Sequence, residues 1–265
     1  MKLLVKIGGT LLDEVSSRTR LARELAALKD DGHAVVIVHG GGKQMTRFLG
    51  ERGIESRFID GLRVTGPEVV DAVLKVFAGS VNHTLVSSLV EAGAMAVGLS
   101  GIDALLAEAE QLSPELGAVG RVIRSNPAVL EVLIAGGFLP VVACVAGDRN
   151  GGVFNVNADQ MAVACAIGFK AEYLIFLTDV EGVRNAEGTV IPLMRPDECV
   201  HLINSGVATG GMQAKLNAAI EAVEGGAGQV VIAPGSLDRV AARIVAGEEI
   251  GTRLASLSSL EATHA

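Results

Sequence analysis

The sequence predicts an α/β protein, a three-layer αβα sandwich with a mostly parallel central sheet. Three observations carry that expectation: short unbroken apolar runs recur along the chain, helical stretches stand between them, and glycine-rich turns join them. Runs without polar alternation suit strands buried on both faces of a parallel sheet. Alternating strand and helix implies right-handed crossovers that place helices over both faces.

The strands are expected at Leu3–Ile7, Ala34–Val38, Ala94–Leu99, Leu139–Val145, Tyr173–Leu177 and Gln229–Ala233. Helices are expected at about Arg18–Lys29, Lys43–Arg52, Pro67–Glu91, Asn126–Ala135, Asp159–Gly168, Met212–Glu224 and Asp238–Ala246, several opened by a capping residue or a proline. Val183–Pro192, with Asn185 and Gly188 as turn formers, reads as a hairpin excursion, and Leu254–Ala265 as a loose tail. Neither an internal repeat nor a low-complexity linker stands out. In such sheets ligands bind beyond the carboxyl ends of the strands.

Composition bounds the function. With 265 residues and 49% hydrophobic content the chain can bury a core as one large domain or two lobes. Its apolar runs fall short of the roughly 18 residues a membrane span needs. The first residues show no signal peptide, so no membrane association is expected and the cytoplasm is the expected location. A formal charge of −8 without a basic stripe argues against nucleic acid, so any anion site must be local. Cys144, Cys165 and Cys199 are far apart and read as reduced packing residues. Thirty-three glycines with 3% aromatics suggest turns where the backbone itself approaches a small molecule.

Several turns carry chemistry. Lys6-Ile7-Gly8-Gly9-Thr10 ends the first strand with a lysine beside two glycines whose N–H groups are expected to face an anion. His39-Gly40-Gly41-Gly42-Lys43 ends the second with more glycine than a turn requires. His39 itself reads as a satisfied structural histidine. The P-loop pattern fails here because Gln44 follows Lys43, and the dinucleotide fingerprint is missing after the first strand. Asp60-Gly61-Leu62-Arg63-Val64-Thr65 offers an arginine fork suited to a carboxylate, although a lone arginine is more often a solvated charge. Asn155-Val156-Asn157-Ala158-Asp159 enters a helix capped by Asn157 and adds Asn155 and Asp159 to its entrance. Thr178-Asp179-Val180-Glu181-Gly182-Val183 closes the fifth strand where a nucleotide could bind, and Thr209-Gly210-Gly211-Met212 opens a helix with Lys215 one turn inside.

Together and in this order, K-x-G-G, H-G-G-G, G-L-R-V-T, N-V-N-A-D, T-D-V-x-G-V and G-G-M-x-x-K resemble the N-acetylglutamate kinases of the amino-acid kinase superfamily, from Lys6 to Gly251-Thr252. The first and fifth motifs are widespread in the superfamily; G-L-R-V-T with N-V-N-A-D is more specific to that branch. The resemblance implies an amino-acid-kinase-like fold and ATP-dependent phosphorylation of the side-chain carboxylate of N-acetyl-L-glutamate. It implies Lys6 and Lys215 as the cations at the transferring phosphoryl group, with Asp159 orienting both. Gly41 and Gly42 would contact the substrate, and Arg63 and Asn155 would hold its α-carboxylate and acetamido end. Gly8, Gly9 and Gly211 would serve the phosphates, while Asp179, Val180, Glu181, Gly182, Val183, Arg184, Val207, Ala208 and Thr209 would line the adenine and ribose pocket. Mg²⁺ would be held through the nucleotide phosphates, with no protein metal cage. Lys43, and Ile102-Asp103-Ala104 after Gly98-Leu99-Ser100-Gly101, depart from the family pattern away from these atoms.

Residues 1–170 are expected to form an amino-acid-binding and dimerising lobe and 171–265 an ATP-binding lobe. Alternative readings are a kinase for acetylated or carrier-bound aminoadipate, and a non-catalytic nucleotide-binding regulator. Met1 stands directly before the first strand, without the extra helix of arginine-inhibited hexamers. The expectation is a homodimer that arginine does not inhibit. Its interface would include Pro67–Glu91, where Val69, Val70, Val73, Leu74, Val76 and Phe77 exceed one helix face.

Overall fold

The computed structural model describes residues 1–255. The first half of the chain runs β1 (Lys2–Ile7), α1 (Gly9–Asp13), α2 (Val15–Asp30), β2 (Ala34–His39), α3 (Gly42–Gly50), β3 (Phe58–Ile59), β4 (Leu62–Arg63), α4 (Pro67–Val73), a π-helical segment (Leu74–Val81), α5 (Asn82–Glu91), β5 (Ala96–Ser100), β6 (Ala107–Gln111) and β7 (Gly120–Ser125). It continues with α6 (Ala128–Ala135), β8 (Leu139–Ala143), β9 (Val145–Gly147), β10 (Val153–Asn155), α7 (Ala158–Phe169), β11 (Tyr173–Thr178), β12 (Leu193–Met194), α8 (Pro196–Asn204), α9 (Gly210–Glu224), β13 (Gln229–Pro234), α10 (Val240–Val245) and β14 (Thr252–Leu254).

Eight strands form one sheet in the order β12-β14-β13-β11-β1-β2-β8-β5. Neighbours are parallel except β13 and β14. Leu3, Leu4, Val5 and Ile7 are fully buried, as a central strand covered on both faces requires. Helices α2, α5 and α10 pack on one another as one layer, and α7, α8 and α9 as another. This is the expected layered α/β architecture. β1 pairs with β2 on one side and β11 on the other, so the chain leaves the middle of the sheet in both directions. Ligand crevices open where strand order diverges in this way.

The structure corrects several expectations. Leu139–Val145 is not one strand: β8 ends at Ala143, and Val145 starts β9 in a second sheet ordered β10-β9-β6-β7. The sequence reading has no strands at β6 and β7. There Ala107 and Ala109 face inward while Glu108 pairs with Arg124 and Arg149 outside, an alternation too short and too alanine-rich to register as a strand signal. Helix α8 is likewise absent from that reading, although Pro196 and the Glu198 carboxylate on the Arg195 N–H mark its start. Ala94 and Met95 precede β5 rather than open it. Leu254 is fully buried in β14, so the chain is still part of the sheet where a loose tail was expected; residues 256–265 of that tail lie outside the described residues. Val183–Pro192 does turn back as an Arg184–Val190 bridge, tied by Asn185 Oδ1 accepting the Thr189 N–H at 2.8 Å.

Pro67–Glu91 is helical throughout but contains the π segment in its middle. By length and composition this 25-residue stretch could cross a membrane. Its Ala72, Val73, Val76, Phe77, Leu85 and Leu89 instead lie in the core. Cys144, Cys165 and Cys199 are buried and unpaired.

Candidate active site

Lys6 is the penultimate residue of β1 and points at the entrance of α7. That entrance is fixed locally: Asn157 Oδ1 accepts the N–H groups of Asp159 (2.8 Å) and Gln160 (3.3 Å), leaving the Asp159 carboxylate in the helix's first turn. Lys6 Nζ lies 2.6 Å from Asp159 Oδ1, and Lys215 Nζ, arriving on α9, lies 3.2 Å from Oδ2. Burial alone would raise the Asp159 pKa, but the charges of Lys6 and Lys215 outweigh it and hold the carboxyl below its ordinary value. The three residues place two cations around one anion, with Lys215 the least buried. Asp159 is thereby committed to lysines rather than free as a base.

Gly8 and Gly9 differ from expectation. The Gly8 N–H donates to Leu177 O at 3.0 Å, so it is part of the sheet and cannot face an anion. Gly9 opens α1, and its N–H finds no acceptor among the described residues. The same holds for Gly41 and Gly42 at the start of α3. At Gly41 a side chain is excluded because a Cβ would come within 2.9 Å of Phe77.

Gly41, Gly42, Arg63 and Asn155 line one cleft, which Cys144 and Phe58 also border. Arg63 is buried rather than a solvated charge: it donates to Thr46 Oγ1 (2.8 Å), Gly42 O (3.3 Å) and Ser56, and lies over the Phe58 ring. Asn155 donates to Thr65 Oγ1 at 3.0 Å, which leaves its carbonyl oxygen free to accept. His39 is fully buried and, as expected, satisfied; burial pulls its pKa down to about 4 against the opposing Gly40 hydrogen bond. Burial also pushes the Cys144 thiol up to about 12, so it is an inert wall.

Beyond β11 and ahead of α9, Val180 and Val207 are exposed apolar side chains of the kind a flat base can cover. Val183 is fully buried with its N–H on Thr252, so its side chain cannot line a pocket. Ala208 is likewise buried. Arg184 pairs with Glu181 at 2.8 Å, while Asp179 accepts from Thr178. Thr209, Gly210 and Gly211 form the exposed entrance to α9, ahead of Lys215.

Residues 1–234 match the model of the Amino acid kinase family. An acetylglutamate kinase of Solibacter usitatus is 64% identical over 96% of this chain and 99% of its own length. One of Acidobacterium capsulatum is 42% identical over 94% and 99%. The chain belongs to the amino acid kinase family, among its acetylglutamate kinases. Among solved structures, smu.665 of Streptococcus mutans superposes with a TM-score of 0.83 at 28% identity over 96% of this chain and 98% of that one. Giardia carbamate kinase does so with 0.71 at 16% over 96% and 98%, a likeness of fold alone.

In this member of the family, sequence reasoning missed Phe58, Cys144 and Thr65. Phe58 sits on the β3–β4 hairpin, whose turn Asp60-Gly61 has both residues at positive φ, 48° and 79°. An Asp-Gly pair is a strong hairpin signal that could have revealed it. Cys144 gave no signal, because within an apolar run it resembles any core cysteine.

Proposed function

We propose that this chain transfers the γ-phosphoryl group of ATP to the side-chain carboxylate of N-acetyl-L-glutamate, giving N-acetylglutamyl 5-phosphate for arginine biosynthesis in the cytoplasm. The observation that carries this reading is Asp159 held between Lys6 and Lys215 beside glycine N–H groups that have no acceptor among the described residues. A side-chain carboxyl with a pKa near ~4.3 is already ionised at neutral pH, so the nucleophile needs no base. What it needs is relief of repulsion against a polyphosphate, and phosphoryl transfer is catalysed mainly by positioning and charge stabilisation.

In this reading Lys6 and Lys215 neutralise the transferring group, and Asp159 keeps both ammonium groups in place. The N–H groups of Gly41 and Gly42 contact the bound acetylglutamate and that of Gly9 the nucleotide phosphates, with Gly8 and Gly211 leaving room for phosphates. Arg63 offers the remainder of its fork to the α-carboxylate, and Asn155 accepts from the acetamido N–H. The segment Asp179 to Arg184, with Val207 to Thr209, receives adenine and ribose, Val183 and Ala208 through backbone alone. Magnesium supplies charge neutralisation through the nucleotide phosphates. Asp159, engaged by two lysines, is a poor metal ligand, and among the described residues no group of three acidic, histidine or cysteine side chains stands together to hold a cation. Residues 1–170 would thus serve the amino acid and 171–265 the nucleotide. The partner chain is a second copy, meeting the face of Pro67–Glu91 that keeps Leu74 38% exposed.

A hydroxamate assay with ATP, Mg²⁺ and a panel of acidic amino acids, acetylated and free, tests the function. Acetylglutamate should be used far better than free glutamate or acetylated aminoadipate. Preference for a free amino acid, or no turnover, would overturn it.

A further inference from the structure

His39 ends β2, directly ahead of the glycine loop, and both its ring nitrogens have partners. Nδ1 is 2.8 Å from the Gly40 carbonyl oxygen, and Nε2 is 3.0 Å from Asn82 Nδ2. Two backbone carbonyls decide where the hydrogens sit. Asn82 Nδ2 is also 3.0 Å from Val141 O, which can only accept, so the amide group there is the NH₂. With one of its hydrogens on Val141, the other faces Nε2 at 3.0 Å in preference to Leu99 O at 3.5 Å, so Nε2 is the unprotonated nitrogen. The single proton of the neutral ring is then on Nδ1, donated to Gly40 O. The Asn82 oxygen points at Gly98, where a side-chain carbon would come within 2.0 Å, and has no partner among the described residues.

The consequence reaches the cleft. The Gly40 carbonyl and the Gly41 N–H belong to one planar peptide and point in opposite directions. Holding the carbonyl on His39 therefore aims the Gly41 N–H away from the ring, in a glycine stretch that would otherwise rotate freely. On the other side Phe77 and Val81 of the π segment close against Gly41, 2.9 and 3.2 Å from where a Cβ would stand. Asn82 is the residue immediately after that segment, so the same stretch supplies both the wall and the lock.

We propose that Asn82 is a positioning residue for the acidic substrate: it fixes His39 as the Nδ1-protonated tautomer, and His39 fixes the peptide whose N–H receives the substrate. This rests on the reading that the Gly41 and Gly42 N–H groups meet that substrate.

Two arms test it. In ¹⁵N-histidine NMR spectra of the whole protein, the imidazole signals lost in His39→Asn should show a protonated Nδ1 and a bare Nε2. Asn82→Asp, which cannot donate from a carboxylate, should move that proton to Nε2. A wild-type ring protonated at Nε2, or a mixture of tautomers, would overturn the lock. In kinetics, His39→Gln removes the donor at Nδ1, whereas the amide nitrogen of His39→Asn occupies its place. The expectation is about a 10-fold rise in KM for acetylglutamate in His39→Gln and about 3-fold or less in His39→Asn, the difference reflecting one hydrogen bond. KM for ATP and kcat should move little in either. Equal losses in both variants, or parallel losses toward ATP, would reduce His39 to a packing residue and sink the proposal. Should Asn82→Asp fail to fold, the His39 pair and the wild-type spectrum still decide. If the wild-type chain does not phosphorylate acetylglutamate, the functional reading fails and takes the substrate half with it, while the spectrum separately upholds or rejects the lock.

Discussion

Asp159 Oδ1 forms an ion pair with the Lys6 ammonium at 2.6 Å with both side chains 7% exposed, so the charge that holds this lysine is almost out of water. Removing one partner of such a pair leaves an uncompensated buried charge. Asp159→Asn is expected to lower unfolding stability by about 3 kcal/mol and kcat by about 100-fold. Because phosphate would replace the missing anion, ATP should raise the melting temperature of Asp159→Asn more than that of the wild type. Thermal unfolding with and without nucleotide checks both.

Lys215→Ala should lower kcat by about 100- to 1000-fold while KM for acetylglutamate changes little, because its charge is needed when the phosphoryl group is in transit. Steady-state kinetics measures this. A kcat near wild type would take Lys215 out of the mechanism.

His39 titrates at about 4 when folded, against an ordinary value of 6.5. The unfolded chain therefore binds the proton first as the medium is acidified. The contribution is fully present above pH 6.5 and falls as the pH drops toward 4, by up to about 3 kcal/mol. Denaturant unfolding between these limits should show that slope, and His39→Asn should flatten it.

Ala104 and Leu105 both adopt left-handed backbone, φ 52° and 49°. Ala104 is exposed and loses nothing by truncation. Ala104→Gly should raise stability by about 0.5–1 kcal/mol, read from a urea midpoint, because relief of left-handed strain exceeds the added chain entropy.

Light scattering should give twice the chain mass, and Leu74→Asp should shift it to one chain by placing a charge in an apolar interface. A wild-type monomer or hexamer would refute the assignment of this helix.

Lys6, Asp159 and Lys215 each stand at a local signal: glycines after a strand, an asparagine cap, a glycine pair opening a helix. That the three belong together was implied by the family resemblance, not by any local pattern. The Gly8 N–H and the buried Val183 were misjudged for a related reason. Their fates depend on Leu177 and Thr252, partners from distant strands that no local pattern announces. The same holds for Cys144, which leaves the main sheet one residue before β9 begins, and for Asn82, which meets His39 across 43 positions of sequence. The parallel sheet was readable from uninterrupted apolar runs; the small mixed one has strands of three to six residues, of which β6 alternates alanine and glutamate, and carries too little hydrophobic contrast to announce itself.

The π segment makes this protein sensitive to counting. A π turn is wider than an α turn and accommodates one extra residue. Losing one residue between Leu74 and Val81 would let the stretch tighten into ordinary α-helix and remove the wide turn that sets Phe77 and Val81 against Gly41. Insertions and deletions should therefore be tolerated in the exposed turn around Gly188 but not here. In this helix, chain length is held more strictly than composition: the exposed Ser80 can be exchanged, and the number of residues separating Val73 from Asn82 cannot.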